Sequence, residues 1–370
     1  MSEQMSMDYS ISSILRLVGK GKRMGTLDAR ARHVLEQLEI CTDRFWGVSE
    51  SSYTQRLETK CQLLPLVYSA FEARCQQLQL APPLELLWRV YLPLAQWVVA
   101  QGERISKEVF VLGVNGAQGS GKSTLCSLLQ VILEAGFSQR VAILSIDDFY
   151  LSRAERQHLA DQVHPLLITR GVPGTHDVPL AIEILKFLQG ANQEASTPLP
   201  VFDKGLDDPL PREEWPTFQG KPDVILFEGW CVGAKPEPEQ RLARPVNALE
   251  AEEDLKKVWR GYVNQVLGNQ YSRLFGLLDG LLFLKIPEFK VVYTQRLEQE
   301  QQLAQALRQG WVGRAGRRAM SMPELRRFIM HFQRLTEYLL EEMPGRADLV
   351  LEIDEHRQFQ GVTQKDSFPS

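Results

Sequence analysis

GAQGSGKST (Gly116–Thr124) is the stretch on which the fold turns. It satisfies the spacing G-x-x-x-x-G-K-[ST] with Gly116, Gly121, Lys122 and Ser123. Glycines let a short loop turn so that consecutive backbone N–H groups point inward at phosphate oxygens. Ala117, Gln118, Gly119 and Ser120 supply the amides between the fixed positions, and Thr124 follows as the helix begins. The positive end of that helix favours the same anion. Lys122 adds a point charge between the β- and γ-phosphates, and the Ser123 hydroxyl is a candidate magnesium ligand.

The flanks agree with this reading. VFVLGV (Val109–Val114) precedes the loop and is short, apolar and β-branched, whereas LCSLLQVILEAG follows with helical spacing. Four more apolar runs come later: VAILSI (Val141–Ile146), DVILFE (Asp223–Glu228), LLFLKI (Leu281–Ile286) and DLVLEI (Asp348–Ile353). Continuous apolar strands alternating with helices predict a parallel sheet covered on both faces. The expected class is therefore α/β, a P-loop NTPase fold with a five-stranded parallel sheet flanked by helices, over residues 106–370. Ahead of it, VLEQLEI, LLPLVYSAFEARCQQLQL and Leu84–Ala100 have helical spacing and predict an all-helical N-terminal extension over residues 1–105. Its first 25 or so residues have weak periodicity and are expected to be loosely ordered. The Pro-, Asp- and Gly-rich stretch Ala191–Gly220 reads as a long surface loop, whose length suggests a function.

Composition removes several classes. Of 370 residues, 42 are Lys or Arg and 46 Asp or Glu, so the net charge is −4. No global basic field gathers nucleic acid, and no polybasic run argues for a membrane surface. Leu84–Ala100 is interrupted by Glu85, Arg89, Pro93 and Gln96, which suits a buried amphipathic helix better than a span. The five cysteines are widely spaced with no CxxC pair, which disfavours disulfides and zinc and fits a reducing, cytoplasmic setting. The polar start MSEQMSMDYS does not fit a secretory signal. Oligomeric state is not legible.

Carboxylates narrow the chemistry. DVILFEGW (Asp223–Trp230) is a buried strand ending in Glu228, where parallel sheets place their ligands, so Glu228 is the second candidate magnesium ligand. LSIDDFY (Leu144–Tyr150) ends another strand in two aspartates. Side chains of an extended segment alternate, so both cannot face one point. Asp147 is expected to reach the cleft, as a proton acceptor or near the metal, and Asp148 to shape the turn. A capping role for both is the bland alternative.

GxxxxGKST, a strand ending in SxDxFY, and FEGW together resemble the phosphoribulokinase, uridine kinase and bacterial pantothenate kinase group of P-loop kinases. The resemblance maps that group's base onto Asp147 and its strand-end glutamate onto Glu228. TRGVPGTHD (Thr169–Asp177), PVFDKGLDD (Pro200–Asp208), FEGWCVG (Phe227–Gly233), RLEQEQQL (Arg296–Leu303) and MSMPELRRFIMHF (Met320–Phe332) are similar to the D-glycerate 3-kinase branch. GRAGRR (Gly313–Arg318) is more basic than that branch leads one to expect, and DKGLDD lacks the serine usual after D-K. The resemblance implies ATP and Mg2+ as cofactors and D-glycerate as a small-molecule substrate. Such an anion needs a cation and polar partners once desolvated. Arg170 and Lys204 are candidates for the charge, His176 and Asp177 for orienting a hydroxyl; Asp177 otherwise caps a helix, and Lys204 otherwise pairs with Asp203. Residues near 307–322 are the expected lid, with Arg314 and Arg317 as candidates to neutralise moving charge. A nucleoside or pantothenate kinase, and a non-catalytic ATP-binding protein, remain the alternatives.

Overall fold

The computed structural model describes residues 9–49, 53–308 and 320–365. These divide into two compact units, one drawn from residues 9–108, 123–141 and 361–365, the other from residues 109–122 and 142–360.

The first unit is helical. Its helices are α1 (Ile11–Gly19), α2 (Ala29–Phe45), α3 (Tyr53–Gln77), α4 (Leu92–Ile105) and α5 (Lys122–Phe137). Helix α1 departs from the loose order expected there. ISSILRLVG places Ile14, Leu15 and Val18 on one face, and all three are fully buried. Ser10 caps it by accepting from Ser13 N–H. Helix α5, which follows the glycine loop, packs on α3. A Cβ on Gly136 would lie 2.8 Å from Leu63 and Val67 side-chain atoms, so the two backbones meet closely there. Arg74 Nη1 donates to Ser127 Oγ across the same contact. Deeper in the bundle, Lys60 Nζ and Trp88 Nε1 both donate to Glu39 Oε2 at 2.8 Å.

The second unit carries the sheet. All five expected strands form: β1 (Phe110–Gly116), β2 (Val141–Ser145), β3 (Val224–Gly229), β4 (Gly280–Lys285) and β5 (Leu349–Ile353). A sixth, β6 (Phe359–Gln364), extends one edge, giving the order β6-β5-β4-β1-β3-β2. Its FQGVTQ is polar and half-exposed, an edge pattern rather than an apolar run, which is why strand reading passes over it. β1 pairs parallel with β3 and β4, and β4 parallel with β5. One face is covered by α6 (Val178–Gly190), α7 (Val258–Val266) with the turn after it, and α8 (Met322–Glu342). Leu185, Leu267, Tyr271 and Phe332 join Val111, Ile225 and Phe283 in one core.

The stretch Ala191–Gly220, expected as a long surface loop, carries two short antiparallel pairings. Ser196–Pro198 pairs antiparallel with Thr217–Gln219, and Phe202–Asp203 with Asp208–Pro209. The second pairing closes a tight turn around Lys204, and Asp203 Oδ1 fixes it by accepting from Gly205 and Leu206 N–H.

Candidate active site

The loop after β1 takes the backbone its glycines allow. Gly119 has φ +82° and a Cβ there would stand 2.8 Å from Gln295 Cβ, so conformation and space both demand glycine. Lys122 Nζ rests on Ala117 O at 3.1 Å, and Arg357 Nε donates to Gly119 O at 2.7 Å. Gln118 Oε1, Ser120 Oγ and both amide atoms of Gln295 are buried with no hydrogen-bond partner among the described residues. Buried polar atoms are rarely left so, and an anionic ligand with its bound water supplies partners. Lys122 is also the first residue of α5. The loop fits a polyphosphate.

Glu228 sits at the end of β3, in register with Val114 of β1 and only 6% exposed. Among the described residues no group of three or more His, Cys, Asp or Glu forms a ready-made metal cage. A magnesium site here fits the mode in which phosphates and water fill most of the shell.

LSIDDFY does not stay extended. After β2, Ile146–Phe149 winds into one 3₁₀ turn, with Ser145 Oγ accepting from Asp147 N–H. The two carboxylates still diverge, through the turn rather than through strand alternation. Asp147 Oδ1 accepts from the Tyr150 hydroxyl and Oδ2 from Lys204 Nζ, both at 2.7 Å. Burial pushes the Asp147 carboxyl up, but the Lys204 charge and the two hydrogen bonds outweigh it and hold the group at about 2. Asp148 turns away and accepts from Phe202 N–H at 3.3 Å. Burial chiefly, with Asp147 and Glu228 nearby, lifts Asp148 to about 6.

The turn that carries Lys204 is clamped to this carboxylate by arginines. Asp207 takes both Arg170 Nη1 and the fully buried Arg156, and Asp208 Oδ1 accepts from Arg153 N–H. Arg170 Nη2 also reaches Lys204 O at 3.4 Å, and its guanidinium lies 5.6 Å from the Phe202 ring centre. Lys204 thus pairs with Asp147 across 57 residues, while Asp203 is engaged in the turn.

His176 is held beside them. Residues 149–151 and 175–177 pair through Leu151 N–H to Thr175 O and Asp177 N–H to Phe149 O. That pairing stacks the His176 ring on Tyr150, centres 4.6 Å apart. Burial lowers His176 to about 4 despite the Asp147 charge, so the imidazole is neutral near pH 7. Asp177 takes the alternative role that the sequence offered: its Oδ1 accepts from Leu180 N–H and caps α6.

The separate motifs interlock physically. Trp230, from FEGW, donates its Nε1–H to Gly171 O of RGVPGTHD, and its ring meets Phe332 of the Met-Ser element edge-on at 5.0 Å. Three further side chains join the site without having been singled out. Arg296 donates to Gln299 and Glu300, its Nε is buried without a partner among the described residues, and it lies within electrostatic reach of Arg170, Asp147 and Tyr150. It stands in RLEQEQQL, so a signal existed. Asp207 stands in DKGLDD. Tyr271, whose hydroxyl lies 2.6 Å from His176 Nδ1, belongs to no motif and is 95 residues away in sequence. The lid candidates Arg314 and Arg317 lie outside the described residues.

No family model matches the chain. An uncharacterized kinase of Schizosaccharomyces pombe is 34% identical over 264 residues, 67% of this chain and 89% of that protein. The chloroplastic D-glycerate 3-kinase of Arabidopsis thaliana is 31% identical over 304 residues, 75% of this chain and 61% of that protein's length. Among solved structures, a D-glycerate 3-kinase from Cryptococcus neoformans superposes with a TM-score of 0.59 at 26% identity, covering 74% of this chain and 98% of the other. With the glycine loop, the strand-end acid and the Asp147 cluster already in place, the chain belongs to the ATP-dependent P-loop kinases of small molecules, in the group that holds D-glycerate 3-kinases with pantothenate and uridine kinases.

Proposed function

We propose that this kinase transfers the γ-phosphoryl of ATP to the 3-hydroxyl of D-glycerate, giving 3-phosphoglycerate and ADP. The observation that carries the reading is the Arg170–Lys204 pair of cations held by one turn against Asp147. It gives a small carboxylate a place beside a proton acceptor, and the relatives named D-glycerate 3-kinase support that acceptor. A guanidinium has five N–H donors, so Arg170 keeps free positions for a substrate carboxylate while it holds Asp207.

The chain's own groups then divide the work. The loop amides of Gly116–Thr124 and Lys122 bind and orient the triphosphate. Ser123 and Glu228 would hold Mg2+, which supplies charge neutralisation on the β- and γ-phosphates. Asp147 orients the C3 hydroxyl and takes its proton as the new O–P bond forms. Asp148 is left to hold Phe202 and the turn. Arg296, with Lys122, faces the charge that moves onto the leaving oxygens. No covalent intermediate is needed, because positioning and electrostatics carry this chemistry.

Our expectation for the compartment is the cytoplasm. Among the described residues no helix is long and apolar enough to cross a membrane. The test is ADP release from Mg-ATP with D-glycerate, L-glycerate, uridine and pantothenate offered one at a time. The reading expects turnover on D-glycerate far above the other three. Turnover on uridine or pantothenate with none on glycerate overturns the acceptor, and ATP binding with no turnover on any small alcohol favours a regulatory protein.

A further inference from the structure

The imidazole of His176 is 4% exposed and bonded on one side only. Nδ1 lies 2.6 Å from the Tyr271 hydroxyl, whereas Nε2 is buried with no partner among the described residues. The direction of the Tyr271 bond can be worked out from the groups around it. The Tyr271 oxygen accepts Gly174 N–H at 2.9 Å, and the backbone N–H of His176 bears on it as well. A phenol has one hydrogen to give. With backbone amides on its acceptor side, that hydrogen points at the one acceptor facing it, His176 Nδ1. A neutral imidazole that accepts at Nδ1 carries its own hydrogen on Nε2. The loop is shaped for this. Gly174 has φ +103° and a Cβ there would stand 2.6 Å from the Tyr262 ring, so the amide that meets Tyr271 depends on glycine.

We propose that Tyr271 is a positioning residue for the acceptor site: it fixes His176 in the Nε2–H form, so that a neutral donor, not an acceptor, meets the substrate. The imidazole stacks on Tyr150, whose hydroxyl holds Asp147, so the unpaired N–H belongs to the same cluster as the base. The group it recognises is an oxygen with a lone pair, a hydroxyl or carboxylate oxygen of the acceptor. An ammonium at that position is refused, since two donors would meet. The assignment rests on reading this cluster as the acceptor site.

The test is ¹⁵N NMR of the histidine side chains in the full-length protein near neutral pH, with His176→Gln used only to assign the signal. The proposal requires His176 to be protonated at Nε2. A wild-type imidazole protonated at Nδ1 overturns it, whatever the substrate proves to be. Tyr271→Phe should then populate the other tautomer and raise the acceptor KM about tenfold, with kcat and the ATP KM little changed. An unchanged tautomer and acceptor KM in a folded Tyr271→Phe protein also overturn it. If that variant does not fold, the wild-type tautomer decides. Failure of D-glycerate as a substrate would sink the acceptor reading but leave the tautomer result intact, so the two failures are distinguishable.

Discussion

Asp147 carries a tension that only its neighbours explain. A carboxylate held near 2 by Lys204 and Tyr150 is a weak proton acceptor at rest. In a loose phosphoryl-transfer transition state the nucleophile's proton leaves late, so what the site needs first is an acceptor for the hydroxyl's hydrogen bond. Asp147→Asn should therefore bind ATP normally and lose at least a hundredfold in turnover, checked by nucleotide titration beside ADP release. Lys204→Met separates charge from base. With the ammonium gone, burial is less opposed and the folded-state pKa of Asp147 rises. Its protonation then enters the working range, and the acid limb of kcat/KM moves to higher pH than in wild type. An acid limb that stays put would show that Lys204 does not tune Asp147. His176 sits neutral beside this pair, so no limb between pH 6 and 7 should trace to it.

At the scale of elements, one short segment shapes the nucleotide site and another serves stability. The glycine loop tolerates no side chain at position 119, where φ is +82° and Gln295 fills the space. Gly119→Ala should raise the ATP KM at least tenfold while leaving the fold intact, read by nucleotide titration and circular dichroism. The start of α6 is the counter-case: Asp177→Ala should cost about 1 kcal/mol of stability, measured by urea unfolding, with the acceptor KM nearly unchanged. A large KM effect would place Asp177 in the acceptor set. These segments also show what the sequence could reveal. Apolar runs such as VFVLGV and DVILFE marked their strands, because burial on both faces leaves a continuous pattern. The strand Phe359–Gln364 is half-polar and gave no such mark, and the turn at Lys204 is pinned through Asp207, whose partners Arg156 and Arg170 no local pattern reveals.

Over the whole molecule, chemistry and stability are placed in different groups. Lys60 and Glu39 are almost wholly buried in the helical unit, and burial lowers the Lys60 pKa against the pull of Glu39. Lys60→Met leaves Glu39 and Trp88 around an unpaired charge and should cost about 3–5 kcal/mol in urea unfolding, with the ATP KM little changed. The candidate site was legible where one segment does one task, as in Gly116–Thr124, Glu228 and Asp147. It was illegible where distant segments share one, as in Lys204 with Asp147, or Tyr271 with His176. On the proposed function, this assembled site directs the C3 hydroxyl of D-glycerate at the γ-phosphate. The most direct measurement is ³¹P NMR of the product formed from Mg-ATP and D-glycerate. The spectrum should show a phosphorus coupled to the two C3 methylene protons, absent with Asp147→Asn; phosphorus on C2, or no phosphorylated glycerate from the wild-type protein, would contradict the proposed reaction.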